Sequence, residues 1–258
     1  MTLLLPFSNE ASEVHTRILR LSLAVEESRA YWAHVDPRVP LDARPAIALS
    51  EGWFPGRSKP RVHYLVAACA ERFDAFPDGL EALRRWRAID DTCARIVTHV
   101  HLMLSDPLYR AFTVELLALR RRGGPLDRDV AARWVEERAP GRWAGITAKQ
   151  AAQKLLAAAH ETGLLTAKDP REHLALKVPD LALAYVLQLL RGVRHEGTAL
   201  SNVYLASMGW AQPAEKQVRE RLATMGPLGV RAKSEGDPIF ADPGVVAWAR
   251  HTFPPSVA

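Results

Sequence analysis

The spacing of apolar residues along the chain predicts a mainly helical protein. From His15 to Trp32, apolar side chains recur every three or four residues, as they do on one face of a helix. The same period predicts further helices across residues 45–51, 61–74, 78–87, 92–104 and 107–122. Gly123-Gly124-Pro125 then ends the run, because glycine and proline there do not continue a helix. We therefore expect a multi-helix N-terminal domain over residues 1–122.

The pattern of the next segment predicts a winged helix-turn-helix order. A helix over residues 127–138 is followed by a turn, and Thr147 is the expected cap of a second helix, Ala148–Glu161, which Gly163 ends. Residues 164–166 and 173–178 read as two short strands around a polar tip. Helix, turn, helix and hairpin is the order that winged-helix proteins use to present a recognition helix.

The last part of the chain shows a similar order without a sequence repeat. Its periodicity predicts helices over residues 181–191, 199–208, 213–225 and 244–252, with a hairpin formed by residues 228–233 and 237–241. The predicted fold class is mainly α, with winged-helix-like elements in the C-terminal region, residues 123–258. That region divides into two candidate units, residues 123–178 and 179–258.

Charge localises the candidate function. The 258 residues carry a net charge of +5, and 48% of them are hydrophobic, which is ordinary for a globular protein. From Arg110 to His160 there are 10 basic and 5 acidic residues, so this segment holds the positive excess. Such an excess favours an anionic partner, and double-stranded DNA is the partner that fits a winged helix.

The predicted recognition helix carries the chemistry for that partner. Lysine and arginine suit phosphates, while glutamine can bond to base edges in the major groove. The candidate DNA-binding residues of this unit are Arg142, Lys149, Gln150, Gln153 and Lys154, with Lys168 and Arg171 at the expected wing tip. The alternative is a solvated helix face on a winged-helix fold that contacts other proteins.

Two further arginine-rich segments are candidate phosphate sites. One is the run Arg120, Arg121 and Arg122. The alternative explanation for this run is that cations are favourable at a helix C-terminus. The other is the junction Arg57, Lys59 and Arg61, where a loop enters a helix. The neighbouring Trp53 and Phe54 are expected to anchor that loop in the core.

The residues of the sequence do not form a recognisable catalytic motif. His99 and His101 would point to different faces of a helix, and no third metal ligand is evident. The sequence contains no phosphate-binding loop, dinucleotide fingerprint or nucleophile elbow. We therefore expect no enzyme activity, no cofactor and no metal, while a nuclease without a visible motif stays an open alternative.

Localisation follows from the chain ends and the cysteines. Cys69 and Cys93 do not form a disulfide framework, the N-terminus lacks a signal peptide, and no apolar run is long enough for a membrane span. The expected location is the cytoplasm.

A series of short signatures runs along most of the chain. They are Glu26-Glu27-Ser28-Arg29 with Tyr31-Trp32, then Arg57-Ser-Lys-Pro-Arg61, Glu71-Arg72-Phe73, Ser105 to Phe112, and Thr147 to Leu165. Together these signatures resemble the BrxA family of BREX bacteriophage-exclusion systems. The loop at Trp53-Phe-Pro-Gly departs from the family pattern.

This resemblance implies a monomeric, helical protein that binds double-stranded DNA in anti-phage defence, without catalysis of its own, and with other BREX components as further partners. It maps the basic junction onto Arg57, Lys59 and Arg61, and the winged-helix segment onto Lys149 to Lys154. A winged-helix transcriptional regulator and a protein-interaction scaffold of a defence complex remain alternatives.

Overall fold

The protein is mainly helical, as the sequence predicts. A computed structural model describes residues 8–15, 17–138, 145–210, 213–233 and 236–254. Its α-helices are α1 (Val25–His34), α2 (Arg44–Ser50), α3 (Lys59–Phe73), α4 (Pro77–Arg85), α5 (Asp91–Ser105), α6 (Pro107–Ala111), α7 (Ala118–Gly123), α8 (Arg128–Arg138), α9 (Gly145–Thr162), α10 (Asp180–Leu190), α11 (Val203–Ala206), α12 (Ala214–Leu222) and α13 (Val245–Thr252).

The described residues form two short pairs of strands. One pair joins distant parts of the chain, and the other joins neighbouring parts. Strand β1 (Ser8–Asn9) is parallel to β2 (Val193–Arg194), with Ser8 opposite Val193. Strand β3 (Val230–Arg231) is antiparallel to β4 (Ile239–Phe240) and forms a hairpin with it. The first pair ties the beginning of the described chain to its C-terminal half.

The buried apolar side chains form one continuous cluster. Helix α13 packs on α4, α10 packs on α5, and α9 contacts α5, so elements from both halves of the chain share this core. The domain division expected near residue 122 stays a prediction, and apolar packing continues across that position.

The first predicted helix is wrong in its N-terminal part. Residues 17–19 form a 3-10 turn, Ala24 has a positive φ of 54°, and α1 begins only at Val25. The carboxylate of Glu161, at the end of α9, accepts hydrogen bonds from the amides of Ala24 and Val25, both at 3.1 Å. A side chain from 136 positions away therefore caps α1, which periodicity within one segment does not reveal.

Helix α5 is the central helix, and two buried histidines lie on it. His99 Nδ1 lies 2.9 Å from the Tyr109 hydroxyl, and its Nε2 lies 2.9 Å from Ser207 Oγ. His101 Nε2 lies 2.7 Å from the Tyr185 hydroxyl. Burial lowers the pKa of each histidine to about 3, so both are neutral and structural at ordinary pH.

The segment after α5 is close to its predicted form. Asp106 Oδ1 accepts a hydrogen bond of 3.0 Å from the amide of Tyr109 and so caps the helix that begins at Pro107, the first residue of the predicted helix. Helix α6 continues through a π-helical stretch, Phe112–Leu117, into α7. Burial raises the pKa of the Asp106 carboxyl.

Two predicted elements near the C-terminus are shorter than expected. The helix predicted over residues 199–208 is reduced to α11, because Asn202 Oδ1 accepts from the amide of Leu205 at 3.0 Å and starts the helix late. The helix predicted over residues 213–225 ends at Leu222, and a 3-10 turn, Gly226–Leu228, leads into β3. The predicted hairpin is present, with two residues paired in each strand.

Candidate nucleic-acid interface

The outward side of α9 is the surface predicted to read DNA. Helix α9 begins at Gly145, so Thr147 lies inside it and is not its cap, contrary to the prediction. Its inward residues are mostly alanine and leucine, which are strong helix formers and are buried. Three predicted residues, Lys149, Gln150 and Gln153, are exposed on the opposite side.

A fourth residue on this side was not predicted. Ile146 is 76% exposed, and it precedes Lys149 and Gln150 by three and four positions, so the three side chains are neighbours on the helix. We call Ile146, Lys149, Gln150 and Gln153 the α9 face. The sequence signal for Ile146 was an apolar residue out of phase with the buried stripe. Lys154 is half-buried and lies at the edge of this face.

The helix that carries the α9 face is held by packing on its inner side and by hydrogen bonds at its C-terminal end. Helix α8 packs along α9, with Ala131, Ala132 and Val135 buried. At the C-terminal end, Glu161 bonds to the start of α1, and Thr162 Oγ1 lies 3.3 Å from the Tyr109 hydroxyl. Its exposed polar side chains therefore project from a helix that is packed against α8 and hydrogen-bonded at its C-terminal end.

The hairpin after α9 is smaller than predicted. Leu165 pairs with His173 in a single bridge, and Leu126 pairs with Arg171 in another. The strand predicted over residues 173–178 is wrong, because the chain leaves the pairing after Leu174 and proceeds to Pro179, the residue before α10. The segment before α8, the residues directly after α9 and the residues from Arg171 to His173 nevertheless pair with one another next to these two helices.

The two residues predicted at the tip of this hairpin differ in whether their side chains are free to contact a ligand. Lys168 is exposed and makes no ion pair with another described residue. Arg171 is half-buried, and its Nη1 donates to the carbonyl of Thr166 at 3.0 Å, so its guanidinium stabilises the hairpin. Lys168 is the cation of this pair that can meet a ligand.

The arginine run at the end of α7 is close to the hairpin base. Arg120 is half-buried, and its Nε has no hydrogen-bond partner among the described residues. Burial, and secondly the charge of Arg121, lowers the pKa of His173, so Arg121 lies near the hairpin. Arg122 belongs to α7. Arg142 lies outside the described residues.

In the basic junction, Arg57 forms an ion pair, whereas Lys59 and Arg61 form none with a described residue. Arg57 Nη2 lies 2.9 Å from Glu27 Oε1, which neutralises the charge that was expected to bind phosphate. Lys59 is exposed in the first turn of α3, and the Arg61 guanidinium lies 5.2 Å from the centre of the Tyr64 ring. Trp53 and Phe54 are buried and anchor the loop, as predicted.

Part of the charge excess between Arg110 and His160 is structural. Arg110 donates to the carbonyl of Met103 at 2.7 Å and to that of Ala11 at 2.6 Å, and it is mostly buried. Arg138 pairs with Glu115 at 3.0 Å. The number of cations that face solvent is therefore smaller than the sequence count indicates.

The described residues contain no metal-ligand cluster and no membrane-spanning helix. Within the described ranges, no three His, Cys, Asp or Glu side chains are grouped so that they could hold a metal ion. Among the helices of those ranges, none combines the length and the apolar character needed to cross a bilayer.

No protein-family model matches the chain, and no curated protein matches it either.

Proposed function

We propose that this protein binds double-stranded DNA through the α9 face and the hairpin that follows α9. The observation that carries the proposal is that Lys149, Gln150 and Gln153 share one exposed helix side and have no intramolecular partner among the described residues. Lysine suits phosphate oxygens and glutamine suits base edges, so this face offers both kinds of contact.

The surrounding arrangement supports a winged-helix mode of binding. Helix α8, helix α9 and a small hairpin follow one another, and the segment before α8 pairs with the hairpin through Leu126 and Arg171. In that mode α9 enters the major groove and Lys168 contacts the backbone next to it. Ile146 would then supply an apolar contact for a thymine methyl group.

The proposal extends to a biological role through the resemblance to the BrxA family. We propose a cytoplasmic, monomeric, non-enzymatic accessory protein of a BREX-type anti-phage system, with other BREX components as further partners. The non-enzymatic part rests on the absence of a catalytic motif in the sequence. Neighbouring genes for a methyltransferase, a large ATPase and an alkaline-phosphatase-like protein would support this role, and an unrelated set of neighbours would contradict it.

A salt titration tests DNA binding. Fluorescence anisotropy with a labelled duplex of about two helical turns should show weak sequence preference, and an affinity that falls steeply as salt rises, because phosphate contacts release counterions. The double variant Lys149→Ala/Lys168→Ala should lower the salt slope by about two, since each phosphate contact contributes about one.

The matched control removes two exposed arginines that lie outside α8, α9 and the hairpin. Arg87 follows α4 and Arg250 lies on α13, and these two helices pack on each other. We call Arg87→Ala/Arg250→Ala the distal control, and it should keep the wild-type slope. Absence of wild-type binding at low salt, or equal slopes for the lysine variant and wild type, would refute the proposed surface.

A further inference from the structure

Two arginines share one tyrosine ring at the surface near α3. The guanidinium of Arg20 lies 5.9 Å from the centre of the Tyr64 ring, and that of Arg61 lies 5.2 Å from it. Neither arginine forms an ion pair with a described residue. Glu71, whose charge acts on Tyr64, is paired with Arg17 at 2.8 Å. We call Arg20, Arg61 and Tyr64 the basic cluster.

This geometry suits an anion with several oxygens. Two guanidinium groups held near one ring repel each other, and the attraction of each to the exposed ring offsets only part of that repulsion. A phosphate bound beside the ring would lessen this repulsion and could accept from the planar guanidinium forks. Lys59 is exposed two residues before Arg61, in the first turn of α3, and adds to the local positive charge, while the neighbouring Arg57 is already paired with Glu27.

The basic cluster lies near the C-terminal end of α9. Arg20 follows directly after the 3-10 turn Arg17–Leu19, and that turn packs on α9. Glu161, in the last turn of α9, bonds to the amide of Ala24, only four residues after Arg20. Lys149 is twelve residues before Glu161, which corresponds to about 18 Å along the helix.

We propose that Arg20, Arg61 and Tyr64 form a second phosphate-binding site, which holds the backbone of the DNA beyond the C-terminal end of α9. The inference rests on the proposed function, because it assigns a further part of the same DNA contact. With this site the contact reaches about 18 Å from Lys149, which is about half of the 34 Å helical turn of duplex, instead of the few base pairs that one helix covers.

The test compares salt slopes and duplex lengths. The variant Arg20→Ala/Arg61→Ala should lower the salt slope on a duplex of about two turns by about two, relative to wild type and to the distal control. It should also lose most of the wild-type preference for that duplex over one of half a turn. Tyr64→Phe keeps the ring and should bind like wild type, whereas Tyr64→Leu should weaken binding severalfold.

The outcomes separate this inference from the proposed function. A wild-type slope in Arg20→Ala/Arg61→Ala, with a reduced slope in Lys149→Ala/Lys168→Ala, refutes the basic cluster and leaves the α9 face in place. Absence of wild-type binding refutes both. Tighter binding of single-stranded DNA that depends on the Tyr64 ring also refutes a duplex backbone site. If thermal melting shows that the alanine variant is unfolded, Arg20→Gln/Arg61→Gln is measured by the same criteria.

Discussion

Basic side chains are used in opposite ways in the central core and on the α9 face. Arg72 is buried on α3 and donates to the carbonyl of Ser22 at 2.8 Å and to that of Leu23 at 2.5 Å. His99 and His101 are buried on α5. Lys149 on α9 and Lys168 on the hairpin are exposed and make no ion pair with a described residue.

This difference shows why a count of charges does not define a surface. A buried arginine replaces water with carbonyl oxygens and contributes to the fold, and it is not accessible to a ligand. An exposed lysine without a carboxylate partner contributes little to stability and is free to meet phosphate. Mutations in the two regions should therefore affect different measurements.

The largest expected effect is a loss of stability in acid. The folded pKa values of His99 and His101 are about 3, below the ordinary value, because burial disfavours the charged ring. Their stabilising contribution is complete above the unfolded pKa of about 6.5 and falls by about 1.4 kcal/mol per pH unit for each histidine between about pH 6.5 and 3. Urea denaturation at a series of pH values measures this.

Variants assign the acid effect to these residues. His99→Gln should be less stable than wild type at neutral pH, and its free energy of unfolding should decrease less steeply in acid. His63→Gln is the control, because His63 is an exposed histidine on the neighbouring helix α3. An unchanged pH slope in His99→Gln would show that other groups dominate acid unfolding.

The next largest effect is expected at Arg72. Arg72→Ala leaves the carbonyls of Ser22 and Leu23 without their buried donor, which should cost about 3 kcal/mol of unfolding free energy. Chemical denaturation measures the loss, and the folded fraction should keep the wild-type salt slope for DNA. A stable Arg72→Ala variant with impaired binding would place Arg72 among the accessible cations and break the comparison.

A smaller loss of stability is expected at Glu161, where the end of α9 contacts the start of α1. Glu161→Ala removes the acceptor of the Ala24 and Val25 amides and should destabilise the protein by about 1–2 kcal/mol, as loss of a helix cap does. Glu172→Ala is a suitable control, because Glu172 is exposed and its carboxylate has no hydrogen-bond or ion-pair partner among the described residues. Equal thermal melting of the two variants would contradict the capping role.

The sequence predicted the fold where structure depends on neighbouring residues. The helix at Asp106 and Pro107, the inward stripe of α9 and the burial of Trp53 and Phe54 all follow from local spacing or residue type. The break before α1 did not, because Glu161 supplies its cap from another part of the chain. The same limit applies to Arg57, whose partner Glu27 lies 30 positions away.

The candidate site was predictable to a similar extent. Periodicity along α9 placed Lys149, Gln150 and Gln153 on the outer side, where the structure has them. It did not distinguish the free Lys168 from Arg171, whose guanidinium bonds to the Thr166 carbonyl, because that depends on how the hairpin closes. The cluster at Tyr64 was also missed, since Arg20 reaches the ring from a separate segment.

Reversal of a single charge on the α9 face tests the central claim most directly. Lys149→Glu changes an exposed residue, so its thermal melting should match that of wild type, while repulsion from phosphate should weaken duplex binding at low salt by tenfold or more, about 1.4 kcal/mol or more. Arg250→Glu makes the same kind of change on α13 and should have a much smaller effect. Equal affinities for wild type, Lys149→Glu and Arg250→Glu would contradict the account.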